Sequence, residues 1–200
     1  MLLTLIILSV LFILTAVYLF IIRPWHLTWG ATASEVKMNL PGDELVPVTN
    51  FNATRAISIN ALPVTIWKWI IQIGSKRAGW YSIDWIDNGG EKSSFTILPE
   101  FQKIENGQFI PFTPDQKNGM WVSEFIENHY ILWKDKDGKA SWVWYIYTND
   151  EGVTRLITRL RTKYNLKGIW IIYYLLYDLG DIIMMKKCME GIKLRAEKYS

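Results

Sequence analysis

Cys188 is the only cysteine of the chain, so no intramolecular disulfide can form and the stabilisation that an oxidising compartment offers goes unused. Histidine is nearly as scarce. His26 and His129 stand far apart and neither neighbours a sulfur, so the pattern assembles neither a zinc cluster nor a cysteine–histidine nucleophile. Asp178 and Asp181, one helical turn apart, lack a third ligand at compatible spacing, and no metal or cofactor is implied. There is no Gly-x-Ser-x-Gly elbow. Gly74 and Gly79 are spaced almost like phosphate-loop glycines, but no Lys-Ser/Thr follows and the segment trails a predicted helix instead of a strand. A formal charge of +3, with Lys and Arg scattered among Asp and Glu, makes no basic stripe, which excludes nucleic acid as the expected partner.

Charge is missing altogether from residues 2–22, where only Thr4, Ser9, Thr15 and Tyr18 interrupt an apolar run that ends at Arg23-Pro24. At about 1.5 Å per residue such a helix reaches roughly 30 Å, the thickness of a bilayer's hydrocarbon core. A cleaved signal would need a basic start, a shorter apolar stretch and a small-x-small site. Here no Lys or Arg precedes the run, which closes on bulky residues 18–22. Trp25 and Trp29 follow, suited to the headgroup level. The expectation is a transmembrane anchor over 1–23, an irregular collar or linker over 24–52, and one domain over 53–200. Arg23, against an N-terminal side without basic side chains, points the domain to the cytoplasm.

What the chain has in abundance is aromatic side chains, 11 Trp, 10 Tyr and 8 Phe, most of them after residue 60. Residues 55–60 alternate as a strand does, and Pro63 opens a helix with Ile66, Trp67, Ile70, Ile71 and Ile73 on one stripe. A short second helix is expected over 81–88. Asn-Gly, Asp-Gly, Glu-Gly and Asn-His pairs then punctuate short aromatic and β-branched segments at 108–113, 120–127, 130–134, 141–148 and 153–164, an antiparallel meander. Residues 168–199 return to helical period through Ile171, Leu175, Leu179, Ile182, Met185, Met189, Ile192 and Ala196, with a kink expected at Gly180 and Asp181 capping the second piece.

Strand, helices, curling antiparallel sheet and a long closing helix is the order of a helix-grip fold. Residues 29–32 (WGAT), 41–47 (PGDELVP), 54–57 (TRAI), 67–74 (WKWIIQIG), 79–85 (GWYSIDW), 98–100 (LPE), 154–156 (TRL) and 191–197 (GIKLRAE) resemble bacterial members of the SRPBCC superfamily, which includes START lipid-transfer domains, polyketide cyclases and birch-pollen-allergen-like proteins. The expected class is α+β, a START-like helix-grip fold with a curved antiparallel sheet around a long C-terminal helix, preceded by one N-terminal transmembrane helix. The resemblance implies a cavity between sheet and last helix that admits an apolar or amphipathic molecule. It does not select among the roles the scaffold hosts.

Candidate cavity residues are Trp80, Tyr81, Asp84, Trp121, Trp133, Trp142, Trp144, Arg159, Leu175 and Leu179. The 141–148 strand puts Trp142, Trp144 and Ile146 on one face and Val143, Tyr145 and Tyr147 on the other, so the face turned from the core needs a cover: a partner element, a membrane or another subunit. Arg155, Arg159 and Arg161 share a strand face that is either solvated or, turned inward, able to fork a carboxylate or phosphate. Asp84 and Glu100 are the candidate buried carboxylates, with Asp84 alternatively pinning its helix and loop. No catalytic residue is assigned. The leading expectation is a membrane-anchored, non-catalytic binding protein for a hydrophobic or amphipathic small molecule or lipid. Its rivals are a cyclase- or dehydratase-type enzyme using Asp84, Tyr81 or Arg159, and a protein-interaction module.

Overall fold

A computed structural model describes residues 2–164, 167–168 and 170–199, with the side chains at 170–173, 175 and 179 outside that description. α1 (Leu2–Val17) continues through a π-helical turn (Tyr18–Ile22) into α2 (Arg23–Leu27). Together they make one helix long and apolar enough, by length and composition, to cross a membrane. After α3 (Ala33–Lys37) come β1 (Phe51–Ile59), α4 (Pro63–Ile71) and the single turn α5 (Asp84–Asp87). The strands β2 (Phe109–Pro111), β3 (Gly119–Ile126), β4 (Tyr130–Lys134), β5 (Ala140–Thr148) and β6 (Thr154–Thr162) follow, and α6 (Trp170–Lys198) closes the chain. All strands lie in one six-stranded sheet of order β1-β6-β5-β4-β3-β2, every pairing antiparallel. This curved layer around a terminal helix is the helix-grip architecture.

The inner face follows from period-two alternation. Trp142, Trp144 and Ile146 of β5 are buried with Trp133 of β4, Ile66, Trp69 and Ile70 of α4, and Met189, Ile192 and Ala196 of α6 in one core. Pro63 starts α4 where its missing N–H is not needed. Gly191 allows α6 to lie against the turn before α5, since a Cβ there would collide with the Tyr81 carbonyl. Gly30, at φ +70°, sits as closely on the Ala56 carbonyl.

The expected irregular connector is instead a fitted strap over the outer face of the sheet. Thr32 and Glu35 form a capping box at the start of α3, with Glu35 accepting the Thr32 amide at 2.7 Å. The same carboxylate receives Arg155 through Nε at 2.8 Å and Nη2 at 2.7 Å, and the Tyr147 hydroxyl at 2.9 Å. Arg159 spends all five of its N–H groups on Thr54, Asp43 and the carbonyls of Glu35, Val36 and Met38. Arg161 donates to the Val46 carbonyl. Beneath the strap, Leu40, Ala56, Leu132, Val143 and Ile157 make a second apolar cluster, against which Tyr145 and Tyr147 pack. The face that needed a cover is therefore covered by the chain itself, and the arginine row is neither solvated nor turned toward the core.

Three further expectations change. The helix expected over 81–88 shrinks to α5, because Tyr81 takes a left-handed backbone at φ +57°. α6 runs unbroken through Gly180, and Asp181 pairs with Arg55 instead of capping a new helix. β1 begins at Phe51, earlier than its alternation shows, because both of its faces are buried.

Burial pushes the Glu35 carboxyl up, but Arg155, the Thr32 amide and the Tyr147 hydroxyl outweigh it and hold the pKa below the ordinary value. The stabilisation is thus fully present above the unfolded pKa, about 4.3, and is lost as pH falls through the lower folded value. Glu35→Ala, which strands Arg155, is expected to lower the unfolding free energy by about 3–5 kcal/mol. Urea titrations of the detergent-solubilised chain, read by tryptophan fluorescence, check this, and the variant should lack that acid-dependent component.

Candidate ligand-binding cavity

A cavity of about 460 Å³ lies between the inner face of the sheet and the first half of α6. Trp80, Phe112, Trp142, Leu160, Met185 and Cys188 form its apolar wall. The aromatic side is rigid. Trp80 stacks on Trp142 with centroids 5.7 Å apart, and Trp142 anchors itself by donating Nε1–H to the Thr158 hydroxyl at 2.6 Å. Ile86 and Tyr177, both substantially exposed, flank the mouth between α5 and α6. Ala140 lines the cavity on the sheet side, two residues before Trp142 on β5, and across from the aromatics stands Gly180 of α6, where an added Cβ meets only open space.

The polar groups of the lining are few. Asp181 is paired with Arg55 at 2.7 Å, and burial nevertheless pushes its pKa up. Asp87, near the mouth, is also raised by burial. Tyr164, stacked on Tyr174 at 4.0 Å, has its phenol driven further up by burial and by the neighbouring Tyr177, Asp178 and Asp181. Burial likewise keeps the Cys188 thiol protonated. One turn before Asp181, Asp178 accepts from Arg23 at 2.9 Å and from Tyr18 at 3.2 Å, while Arg55 donates Nε–H to the His26 carbonyl at 2.8 Å. These bonds bolt the end of the N-terminal helix to the helix that walls the cavity. Among the described residues no group of three His, Cys, Asp or Glu side chains could hold a metal ion.

The sequence candidates separate. Trp80 and Trp142 line the cavity. Trp133 and Trp144 lie behind them, fully buried in the core. Trp121 is on the outer face, opposite Lys134 in register and packed on Phe109 at 4.8 Å. Arg159 is under the strap. Tyr81 is buried between α4 and α6, donating to the Trp69 carbonyl at 3.1 Å and accepting from Gln72 at 2.9 Å, with Arg195 over its ring at 4.3 Å. Asp84 pins its loop, accepting from Asn88 at 2.7 Å and from Ser93. Glu100 is exposed, and among the described residues the buried carboxylates are Glu35 and Asp178, with the Asp181 side chain 8% exposed. Leu175 and Leu179 fall among the side chains outside the description. Tyr81, Asp84 and Arg159 are thus engaged in three separate places and do not converge. Missed were Tyr174, Tyr177, Asp181 and Met184, whose 3-4-3 spacing is itself a helical stripe, displaced by one position from the stripe of 171, 175 and 179.

An apolar chamber beside a closing helix, with aromatic walls and few polar groups, has the form of a ligand pocket on a helix-grip fold. No protein-family model matches the chain, and no curated protein is significantly similar to it. Similar solved structures include a conserved protein of unknown function from Enterococcus faecalis, 15% identical, with 71% of each chain covered and a TM-score of 0.43. A protein from Mesorhizobium loti is 12% identical over 74% of this chain and 98% of that one, TM-score 0.45. The Aha1 dimer from Colwellia psychrerythraea is 12% identical over 72% and 97%, TM-score 0.44. These likenesses carry nothing about activity, and the helix-grip assignment stands on strand order and closing helix.

Tyr81→Phe is expected to destabilise the chain by about 1–3 kcal/mol, because the Trp69 carbonyl and Gln72 lose a buried partner. It should leave the uptake of an apolar probe unchanged. Trp142→Ala should cost about 3–5 kcal/mol and alter uptake as well, measured by urea unfolding and probe titration side by side.

Proposed function

We propose that this chain is a single-pass membrane protein of SRPBCC type whose helix-grip domain binds a hydrophobic or amphipathic small molecule, a lipid among the candidates, without transforming it. One observation carries the reading: an apolar, aromatic-walled cavity of about 460 Å³ whose helical wall is ion-paired, through Asp178 and Arg23, to the end of the apolar N-terminal helix. That volume is in the range of pockets for drug-sized ligands.

Tethering gives such a cavity a use. A ligand that partitions into a bilayer is concentrated there, and a chamber held within a few residues of the anchor samples that high local concentration without any added contact. Trp85 and Ile86 on α5, and Leu176 and Tyr177 on α6, leave large apolar side chains exposed around or beside the mouth, which fits a surface working against headgroups. The lone Arg23 after an uncharged N-terminal side favours a cytoplasmic domain.

Native mass spectrometry of the detergent-released chain, with lipid extraction, tests the reading. A co-purifying or added apolar molecule is expected to bind one to one. Gly180→Leu should abolish this while the fold persists, since replacing a mid-helix glycine relieves about 1 kcal/mol of helix cost and the new side chain enters the open space. A wild-type chain that takes up no apolar probe would sink the proposal.

A further inference from the structure

The walls of the cavity also carry a charge pattern. Two carboxylates line it, Asp87 toward the mouth and Asp181 on the α6 side, and no Lys, Arg or His does among the described lining residues. Arg55 stands behind Asp181 and outside the lining, with Nη2 on that carboxylate and Nε on the His26 carbonyl. Arg23 is likewise engaged by Asp178 and the Asn50 carbonyl. The remaining hydroxyl-bearing lining residues, Ser82, Thr162, Tyr164, Tyr174 and Tyr177, carry no charge that would offset an anion.

We infer that the cavity selects amphiphiles whose polar end donates hydrogen bonds and bears no negative charge, an alcohol or amine head, and rejects those ending in a carboxylate or phosphate. The inference rests on the ligand-binding reading above and narrows it. Hydroxyl and ammonium groups supply the donors that carboxylates accept. An anionic head would bring a like charge beside Asp87 in a poorly hydrated space, where the interaction is far stronger than in water, and with Arg55 already committed to Asp181 no cation among the described lining residues offsets it. The raised pKa values of both carboxyls are consistent with a site that already resists negative charge.

The test uses the full detergent-released chain at neutral pH with three probes of one chain length: dodecanol, dodecylamine and dodecanoate, titrated by native mass spectrometry. Dodecanol and dodecylamine are expected to bind about tenfold or more tighter than dodecanoate, a difference of about 1.4 kcal/mol. Asp87→Asn, which leaves the Arg55–Asp181 pair intact, should raise dodecanoate affinity several-fold and weaken dodecylamine. Equal or tighter binding of dodecanoate by the wild-type chain overturns the inference and leaves the ligand-binding reading standing. Failure of all three probes to bind overturns both. An unchanged dodecanoate to dodecylamine ratio in Asp87→Asn removes Asp87 from the selection and overturns that part of the argument.

Discussion

A six-stranded sheet with apolar side chains on both faces needs two covers, and most of this molecule can be derived from how the second is supplied. α4 and α6 bury the inner face in the ordinary way. Over the outer face lies a strap too short to build a hydrophobic layer of its own, so it is stitched down by the guanidinium groups of β6. Arg155 takes the Glu35 carboxylate in a fork, and Arg159 takes Asp43 and three strap carbonyls. Arginine suits this work because its planar donors reach several fixed acceptors at once and its charge is weakly hydrated. Such pairs contribute little against an apolar replacement, but breaking one leaves a buried charge, which fixes the strap in a single register.

That register has a consequence at the other end of the strap. Because residues 29–50 are clamped to β6 and β1, the helix preceding them arrives at a fixed place, where Arg23 meets Asp178 and the His26 carbonyl meets Arg55. The first half of α6 is therefore held from two sides, by Arg23 and by Arg55 through Asp181. The same stretch of helix forms one wall of the cavity. Strap, apolar N-terminal helix and cavity wall are thus parts of one polar chain of contacts running beside an otherwise apolar chamber.

Much of this order was legible from residue spacing and some was not, for identifiable reasons. Period-two alternation placed Trp142, Trp144 and Ile146 together and set Arg155, Arg159 and Arg161 on the opposite side of β6 from Leu156 and Leu160, as observed. It could not say what lay over the arginines, since carbonyl acceptors more than 100 residues away leave no local pattern. The one local trace was Thr32 followed three residues later by Glu35, the spacing of a capping box. β1 lost its first residues because a strand buried on both faces has no polar side to alternate with. In α6, apolarity alone selected Leu175 and Leu179, whose side chains lie outside the described residues, and it passed over Tyr174, Tyr177 and Asp181, lining residues of a polar kind that hydrophobic patterning discounts.

The cavity persists for reasons that lie in its lining. Trp80 and Trp142 are locked by stacking and by hydrogen bonds from both indole nitrogens, to Phe112 and Thr158, so neither ring can turn inward to fill the gap. On the far side, among the described residues, a small residue stands at Gly180 of α6. A mid-helix glycine costs about 1 kcal/mol relative to alanine, and here a Cβ would touch nothing, so packing gives no reason for its presence. Volume left open at a small residue in α6, opposite walls too stiff to collapse, is what a chamber that holds a guest requires and what a solid core would have eliminated.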